Sequence, residues 1–580
     1  MPPRPYPAAV TLLCVSIFVD DIDVSIADMT EARHRGADLI ELRIDPYYSG
    51  TDDDVQLSEL ARLVAAAPLP CILTCRPVLE GGQYDGPDDA RISMLEYLCV
   101  SVPAAAGQQP APAPPRYIDV ELATYTRSHN IRQKVNLCVQ HPDQLRDVRT
   151  KLLLSMHDFQ GRPEDFFRRI SQMAAEPASA VSKVAYRARS LRDNLELLDL
   201  LAEAREAGRA LIALGMGPFG LMSRVLAAKF DGFLTFASLR RSTATAPGQP
   251  TLEDLLSLYR VRAHTPATRV YGVIGWPVEH SVSPQAHNAA FEAAEHDGVY
   301  MHMPVAPGYE PLRATLLAMI DHPRLDFAGC SVTIPHKENL IALAAAMRQE
   351  GDERWSVDAL SAACGAANTL TVQRDARGRA SAISISNSDG PAASGLLRTS
   401  LGTLTGHTIV VLGAGGTARA VAASIVMDGG RVIIINRTPA KAEALASELR
   451  TILRCDEAHL SALIGPREAL LQALSSCSGV YHCTPAGMSG GPAPELCPLD
   501  DDSIAALSPH CIVADSVYRP LRTPLLAAAQ ARGLQTLSGL QLFVAQAAAQ
   551  SQLFTGAEPS RGMLTQVARE ALALDEHGLT

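Results

Sequence analysis

RVYGVIGWPVEHSVSPQAHN, residues 269–288, divides the chain. Val270 to Ile274 read as a short apolar strand that breaks at Gly275-Trp276-Pro277 and enters a loop carrying Ser281 and Ser283, before Pro284 opens a helix. Hydroxyls on a loop beyond a strand end suit a polyhydroxylated ligand. They equally suit ordinary serine and proline turn chemistry with a capping hydroxyl. Three further polar motifs follow in order, SVTIPHK at 331–337, GAANTL at 365–370 and NSDG at 387–390, so the stretch opens a unit of its own and the residues before Arg269 need a separate explanation.

At 580 residues the chain is too long for one core, and about three domain-sized units are expected. Hydrophobic residues make up 47% and charged residues 19%, a globular composition, and no apolar run has the roughly 18 to 20 residues that span a bilayer. A soluble protein without a membrane partner is therefore expected. The net charge is -11, from 51 basic and 62 acidic residues with the basic ones dispersed, which argues against nucleic acid as a partner. The 12 cysteines lie at irregular spacing without zinc-ligand patterns, so no metal is expected and most should be small buried hydrophobes in a reducing compartment. MPPRPYPAAVTLLCVSIF shows no secretory pattern, which points to the cytoplasm, or to a plastid if a transit peptide has been removed.

Before residue 262, apolar runs of strand length occur near Val10 to Phe18, Asp38 to Ile44, Pro70 to Cys75, Tyr117 to Val120, Lys151 to Met156, Ala180 to Ala185, Ala210 to Leu214 and Gly232 to Phe236. Helical patterns such as SLRDNLELLDLLAEAREAG separate them on a repeat of about 30 residues, the rhythm of a (β/α)₈ barrel with its site at the C-terminal strand ends. The Pro/Ala-biased SVPAAAGQQPAPAPP at 101–115 reads as a surface insertion. Ionisable residues gather at five strand ends: Glu41 and Arg43, Arg76 followed by Glu80, His157-Asp158, Lys183, and Arg224 in GMGPFGLMSR. Each alone reads as a surface charge or a satisfied ion pair; convergence on a barrel mouth points to a site. Lys183 lies inside AVSKVAYRA, where a lysine must face the interior and be neutral or paired. At its reference pKa of about 10.4 it would be a free amine in roughly one molecule in a few thousand at pH 7, so burial and the cations Arg43, Arg76 and Arg224 are expected to prepare it for imine formation.

ADLIELRID, ILTCRPVLEGG, YIDVEL, LLLSMHDF, VSKVA, SR at 223–224 and ATAPGQPT at 244–251 together resemble type I 3-dehydroquinate dehydratase. The resemblance implies Lys183 as Schiff-base nucleophile, His157 as general acid and base, and Glu80 as its orienting partner. It implies Glu41, Arg43, Arg76, Arg224, Thr245 and Gln249 as substrate ligands, with Thr245 keeping the hydroxyl of a position where serine is common. The chemistry agrees independently. Dehydrating a β-hydroxy ketone needs loss of a proton alpha to the carbonyl, an iminium is a better electron sink than the ketone, and one lysine with one base suffices.

The motifs from Arg269 onward resemble the substrate domain of shikimate dehydrogenase, over expected bounds of 270–390 completed by helices from 540–580. Lys337 and Asp389 would be the catalytic pair, with Ser281, Ser283, Thr333 and Asn368 on substrate. Hydride reduction of a ketone needs a proton for the developing alkoxide, which a Lys-Asp pair can supply and aim. Two departures stand out: Ser331, where many members have asparagine, and Ser386-Asn387-Ser388 in place of Tyr-Asn-Thr. Between 391 and 539, TIVVLGAGGTARAVAASIVMDGG reads as strand, glycine turn and helix, and the next strand, RVIIIN, ends 23 residues beyond Gly413. This is a Rossmann pattern, with Gly413, Ala414, Gly415, Gly416, Thr417 and Ala418 at the pyrophosphate. The second strand ends not in an acid but in Asn436-Arg437-Thr438, which favours the 2′-phosphate of NADP. TPAGM, DSVYRPLRTPLL and GLQLFVAQAAAQ extend the resemblance, which puts Tyr518 and Gln546 on substrate and Gly539 on coenzyme. The whole chain thus reads as α/β, a TIM barrel fused to a two-domain dehydrogenase. Its small-molecule substrates would be 3-dehydroquinate, 3-dehydroshikimate and shikimate. Two rival readings are a quinate dehydrogenase in the second half, and a non-catalytic regulator of quinate metabolism. Retention of Lys183, His157, Lys337 and Asp389 disfavours the regulator, and Ser283 and Thr333, glycine in quinate-preferring relatives, disfavour quinate.

Overall fold

The computed structural model describes residues 10–50, 54–100, 114–140, 149–246 and 248–576, so nearly all of the expected 101–115 insertion and the extreme N-terminus lie outside it. It divides into two compact units, Met1–Thr268 and Arg269–Thr580.

In the first unit, eight strands alternate with helices: β1 Leu12–Phe18, β2 Leu39–Arg43, β3 Cys71–Thr74, β4 Tyr117–Glu121, β5 Lys151–Asp158, β6 Ser179–Arg187, β7 Leu211–Met216 and β8 Leu234–Ala237. They form one parallel sheet in the order β7-β6-β5-β4-β3-β2-β1-β8, and across the remaining seam the Phe233 amide donates to Leu211 O at 3.0 Å. These strands are nearly continuous apolar runs because helices cover the outside while side chains fill the inside. The interior changes character along its length. Cys14, Leu39, Ile72, Tyr117, Leu153, Val181, Ile212 and Leu234 pack the N-terminal end as one apolar cluster. Two residues further along the same strand faces come Ser16, Glu41, Thr74, Asp119, Ser155 and Lys183, all buried. Apolar packing thus closes one end, and polar groups collect at the other.

The second unit contains two sheets. The first holds β9 Arg269–Gly275, β10 Gly298–Pro304, β11 Phe327–Val332, β12 Trp355–Val357, β13 Thr369–Arg374 and β14 Ala380–Ser386, in the order β10-β9-β11-β13-β14-β12. β9, β10 and β11 are mutually parallel, whereas β13 runs antiparallel to β11 and to β14. Helix Ser283–Ala293 begins with proline in its first turn, as the opening stretch predicts. Its Val282, Ala286 and Ala290 side pack with Leu540, Phe543 and Val544 of helix Gly539–Thr555 and with Leu564 and Ala568 of helix Arg561–Glu576. The second sheet holds β15 Thr408–Leu412, β16 Arg431–Ile435, β17 Leu460–Ala462, β18 Gly479–His482, β19 Ile512–Asp515 and β20 Gln535–Leu537. All its pairings are parallel and the order is β17-β16-β15-β18-β19-β20, a doubly wound sheet whose strand order reverses between β15 and β18. Ligands of such sheets bind at the C-terminal edge of that switch point.

Each unit has its own buried core, and RAHTPATR at 262–269 is the expected linker. Fragments ending near Ala263 and beginning near Thr268 should each express soluble and melt cooperatively in a circular-dichroism scan. Insoluble or non-cooperative fragments would show that one unit needs the other to fold.

Candidate active sites

In the barrel, Lys183 sits on β6 opposite Ser155 of β5, and His157 follows two residues on along β5, on the same inward face. Lys183 Nζ lies 3.1 Å from Asp119 Oδ2 and 3.3 Å from Glu41 Oε1, with the Phe236 ring centroid at 4.4 Å. Ser16 donates to Glu41 Oε2 at 2.6 Å and Thr74 to Oε1 at 3.1 Å. Arg76 is saturated: it meets Asp119 and Glu121 at 2.6 Å each and the Ser155 hydroxyl at 2.9 Å. Burial acts to raise both carboxyls, but Lys183 and Arg43 leave Glu41 below its ordinary value, and Arg76 and Lys183 hold Asp119 far below it. Arg43 is tied to Asp45 by two bonds of 2.8 and 2.9 Å. The immediate partners of Lys183 are thus carboxylates, and Arg43 and Arg76, two of the three cations expected to act on it, are themselves paired. Sequence reasoning passed over Asp119 and Glu121, whose only signal was two acids on alternate positions of YIDVEL.

The other three groups differ from this saturated cluster. Glu80, at the end of the short 3₁₀ turn Val78–Glu80, places Oε2 at 3.0 Å from the His157 amide and 3.1 Å from its Nδ1. Oε2 already accepts the His157 amide, so it accepts from Nδ1 as well, which puts the ring proton on Nδ1 and leaves Nε2 as the basic atom. Burial, then Arg76 and Lys183, pushes His157 well below the ordinary imidazole value, which favours the neutral ring. Arg224 lies buried on the short helix Leu221–Val225 beyond β7, where Ser223 Oγ accepts from the Gly215 amide at 2.8 Å. Gly220 allows this return, since a Cβ there would stand 2.3 Å from Gly215 O. Arg224 Nε and Nη1 have no hydrogen-bond partner among the described residues, and burial alone pulls the guanidinium down to about 10. An unpaired buried cation is costly, which sets Arg224 apart from the paired arginines. Thr245 and Gln249 bond to each other on the loop after β8, with the Thr245 hydroxyl 3.0 Å from Gln249 Oε1.

In the second unit, the catalytic candidates stand at helix starts. Lys337 opens helix Lys337–Gln349 and Asp389 opens helix Asp389–Leu401, and their side chains form a direct ion pair. Asn368, just before β13, donates to Asp389 Oδ1 at 2.8 Å and to Ser388 Oγ at 3.0 Å, and accepts the Ser388 amide at 2.8 Å. Asn387 accepts the Asp389 amide at 3.0 Å, which fixes the backbone at the start of that helix. Ser331 is turned to Gln550, with its hydroxyl 2.8 Å from Oε1. The Ser281 and Ser283 hydroxyls are 3.0 Å apart at the start of their helix. Thr333 lies between β11 and Lys337, partly buried. Tyr518 is raised by burial, offset in part by the Ser281 hydroxyl, and Gln546 is half-buried on helix Gly539–Thr555.

Gly413, Gly415 and Gly416 turn β15 into helix Gly416–Met427. Gly413 has φ +122°, which an L side chain rarely adopts, and nothing lies within 4 Å of where a Gly415 Cβ would stand. An open glycine turn at a helix N-terminus fits a pyrophosphate. Lys337 Nζ also meets Thr417 Oγ1 at 3.2 Å, a contact no sequence pattern announced, which joins this lysine to the turn. Arg437 is exposed just beyond β16, Asn436 Nδ2 donates to Thr438 O at 3.1 Å, and no carboxylate ends β16, so the donor set fits a 2′-phosphate. Gly539 starts its helix where a Cβ would come within 2.3 Å of Val517 O.

Fold and site define a two-activity α/β enzyme, a lysine-centred barrel joined to a dinucleotide-binding reductase. The family described as Type I 3-dehydroquinase matches residues 13–266, the shikimate dehydrogenase substrate binding domain 273–370, and shikimate / quinate 5-dehydrogenase 395–483. The bifunctional 3-dehydroquinate dehydratase/shikimate dehydrogenase, chloroplastic, of Arabidopsis thaliana is 34% identical over 579 residues, 96% of this chain and 84% of that one. Shikimate dehydrogenase (NADP(+)) of Citrifermentans bemidjiense is 37% identical over 52% of this chain and 94% of its own. A solved shikimate 5-dehydrogenase of Thermus thermophilus, in complex with NADP(H) and shikimate, is 30% identical, aligns over 52% of this chain and 100% of its own, and gives a TM-score of 0.41. This chain belongs to the family of bifunctional 3-dehydroquinate dehydratase/shikimate dehydrogenases.

Burial raises Glu80 to about 7 against the opposing pull of Arg76. A carboxyl with a folded pKa above its unfolded value of about 4.3 contributes stability that is full below that value and lost as pH rises through the folded one. Glu80→Gln removes the buried negative charge, so the variant-minus-parent difference in the barrel's melting temperature should be larger at pH 8 than at pH 5. An equal difference at both values would show that Glu80 is not perturbed by burial.

Proposed function

We propose that this chain runs two consecutive reactions. The barrel dehydrates 3-dehydroquinate to 3-dehydroshikimate, and the second unit reduces 3-dehydroshikimate to shikimate with NADPH. The observation that carries the first is the buried Lys183 beside a Glu80-anchored His157, with an unpaired Arg224 beyond the neighbouring strand. Lys183 Nζ, after giving up a proton, attacks the ring ketone, and loss of water leaves an iminium. His157 Nε2 removes the proton alpha to that carbon, the electrons flow toward the iminium nitrogen, and the resulting enamine expels the β-hydroxyl, which takes a proton back from His157. Hydrolysis of the imine returns Lys183. Arg224 holds the substrate carboxylate, and Glu41, Arg43, Arg76, Thr245 and Gln249 shape the rest of the pocket, Arg43 and Arg76 as paired groups that keep the carboxylates in place.

In the second unit the bound dinucleotide supplies a hydride, and Lys337 delivers the proton to the ketone oxygen. Asp389, itself fixed by Asn368, aims that ammonium. Ser281, Ser283, Thr333, Asn368, Tyr518 and Gln546 take the substrate's carboxylate and hydroxyls. Gly413 to Ala418, Asn436, Arg437, Thr438 and Gly539 take the coenzyme, in keeping with the NADP(+) in the name of the Citrifermentans relative. Shikimate fits better than quinate because Ser283 and Thr333 offer hydroxyls to the carboxylate and crowd an added ring hydroxyl. The domain division is 1–262, 270–390 with 540–580, and 391–539. The chloroplastic name of the Arabidopsis relative supports a plastid, with the cytoplasm as the alternative reading; no described helix is long and apolar enough to cross a membrane.

Borohydride added with 3-dehydroquinate should fix ligand mass on the peptide carrying Lys183 and abolish the dehydratase alone; label on another lysine, or none, refutes the imine. Arg437→Ala should raise KM for NADPH about tenfold to a hundredfold, the worth of one charge-assisted contact, and leave KM for NADH nearly unchanged. Equal losses with both coenzymes would remove Arg437 from the phosphate site.

A further inference from the structure

A buried line of hydrogen bonds crosses the C-terminal edge of the Rossmann sheet and is used by none of the steps above. His482 ends β18, Asp515 ends β19, the two are register partners, and both are completely buried. His482 Nδ1 is 2.9 Å from Asp515 Oδ1, and Nε2 is 2.5 Å from Thr484 Oγ1. The polarity of the line follows from its ends. Asp515 accepts the Thr523 hydroxyl at 2.6 Å and the Val517 amide at 2.9 Å, so Nδ1 donates to it as well. Thr484 Oγ1 accepts the Ala486 amide at 3.3 Å, which leaves its own proton for Nε2. Each group in the line therefore has a fixed role and Thr484 a fixed rotamer.

Thr484 is the outer end of this line, and it is also a wall of the glycine turn: its Cγ2 lies 3.1 Å from where a Gly413 Cβ would be. The same carboxylate reaches the other side of the crevice, because the Val517 amide it holds immediately precedes Tyr518, and Val517 O is the atom that Gly539 approaches. We propose that Asp515 and His482 are positioning residues for coenzyme binding, which lock the Thr484 hydroxyl so that its methyl sets the shape of the Gly413 turn. The proposal rests on the reading of residues 413–418 as the dinucleotide site. A purely structural tie between β18 and β19 would not need Thr484 at all.

Calorimetric titration of the full chain with NADP+ tests it without turnover. Thr484→Val keeps the shape and removes the hydroxyl, and should weaken NADP+ about threefold to tenfold, the worth of one hydrogen bond. Thr484→Ser keeps the hydroxyl but loses the methyl that shapes the turn, and should weaken NADP+ as well. His482→Gln, a second route to the same break, should weaken NADP+ in the same direction, and in steady-state assays KM for NADPH should rise while KM for 3-dehydroshikimate holds. Parent-like NADP+ affinity in Thr484→Val or His482→Gln overturns the proposal, the former leaving only methyl packing, as does parent-like affinity in Thr484→Ser, which would show that the methyl shapes nothing. A parent chain that does not bind NADP+ removes the coenzyme site itself, and the proposal with it.

Discussion

The barrel depends on how it keeps charge out of water. Lys183, Glu41, Asp119, Arg76 and Glu121 all lie inside a closed sheet, where an isolated charge is prohibitive and even a paired one is only repaid when every polar atom finds a partner. The chain approaches that condition by sharing carboxylates between cations: Asp119 serves both Lys183 and Arg76, and Glu121 serves both Arg76 and Arg91. Removing any one member would leave another uncompensated. The cluster is thus a device for position rather than for stability, and it holds the Lys183 ammonium beneath the place where a ketone must arrive.

Two groups of the site differ from that cluster. Arg224 has buried nitrogens without partners among the described residues, and Glu80 holds its proton unusually tightly. Both are costs of folding, which substrate binding and catalysis can use. The second unit solves the same problem with less burial. Lys337 and Asp389 sit at the first positions of two helices, Asn368 braces the carboxylate, and Thr417 brings the lysine to the coenzyme turn.

Much of this was legible because the determining patterns are local. All eight barrel strands appear within a few residues of the apolar runs that announce them, since a parallel strand covered on both faces must be apolar throughout. Lys183 stood out by the same logic, as a charge where none should be. The glycine turn of 413–416 was legible for its spacing and for the strand and helix that flank it. Less visible was whatever depends on pairing across the sequence. Asp119 and Glu121 looked like ordinary polar positions in a short strand, and only the register of β4 beside β3 and β5 makes them the counter-ions of Arg76. The pairing of Arg76 was hidden for the same reason. The three-residue strands β12, β17 and β20 carry too little pattern to be seen before their neighbours are known.

The central claim is that one chain carries a lysine-dependent dehydration and a lysine-assisted reduction in separate sites. The most direct test is to incubate the full chain with 3-dehydroquinate and NADPH and follow the products by nuclear magnetic resonance, beside Lys183→Ala and Lys337→Ala. The parent should yield shikimate with one NADPH consumed per molecule, Lys183→Ala should leave 3-dehydroquinate untouched yet still reduce added 3-dehydroshikimate, and Lys337→Ala should accumulate 3-dehydroshikimate. Shikimate formed from 3-dehydroquinate by the Lys183 variant, or no 3-dehydroshikimate from the Lys337 variant, would contradict the account.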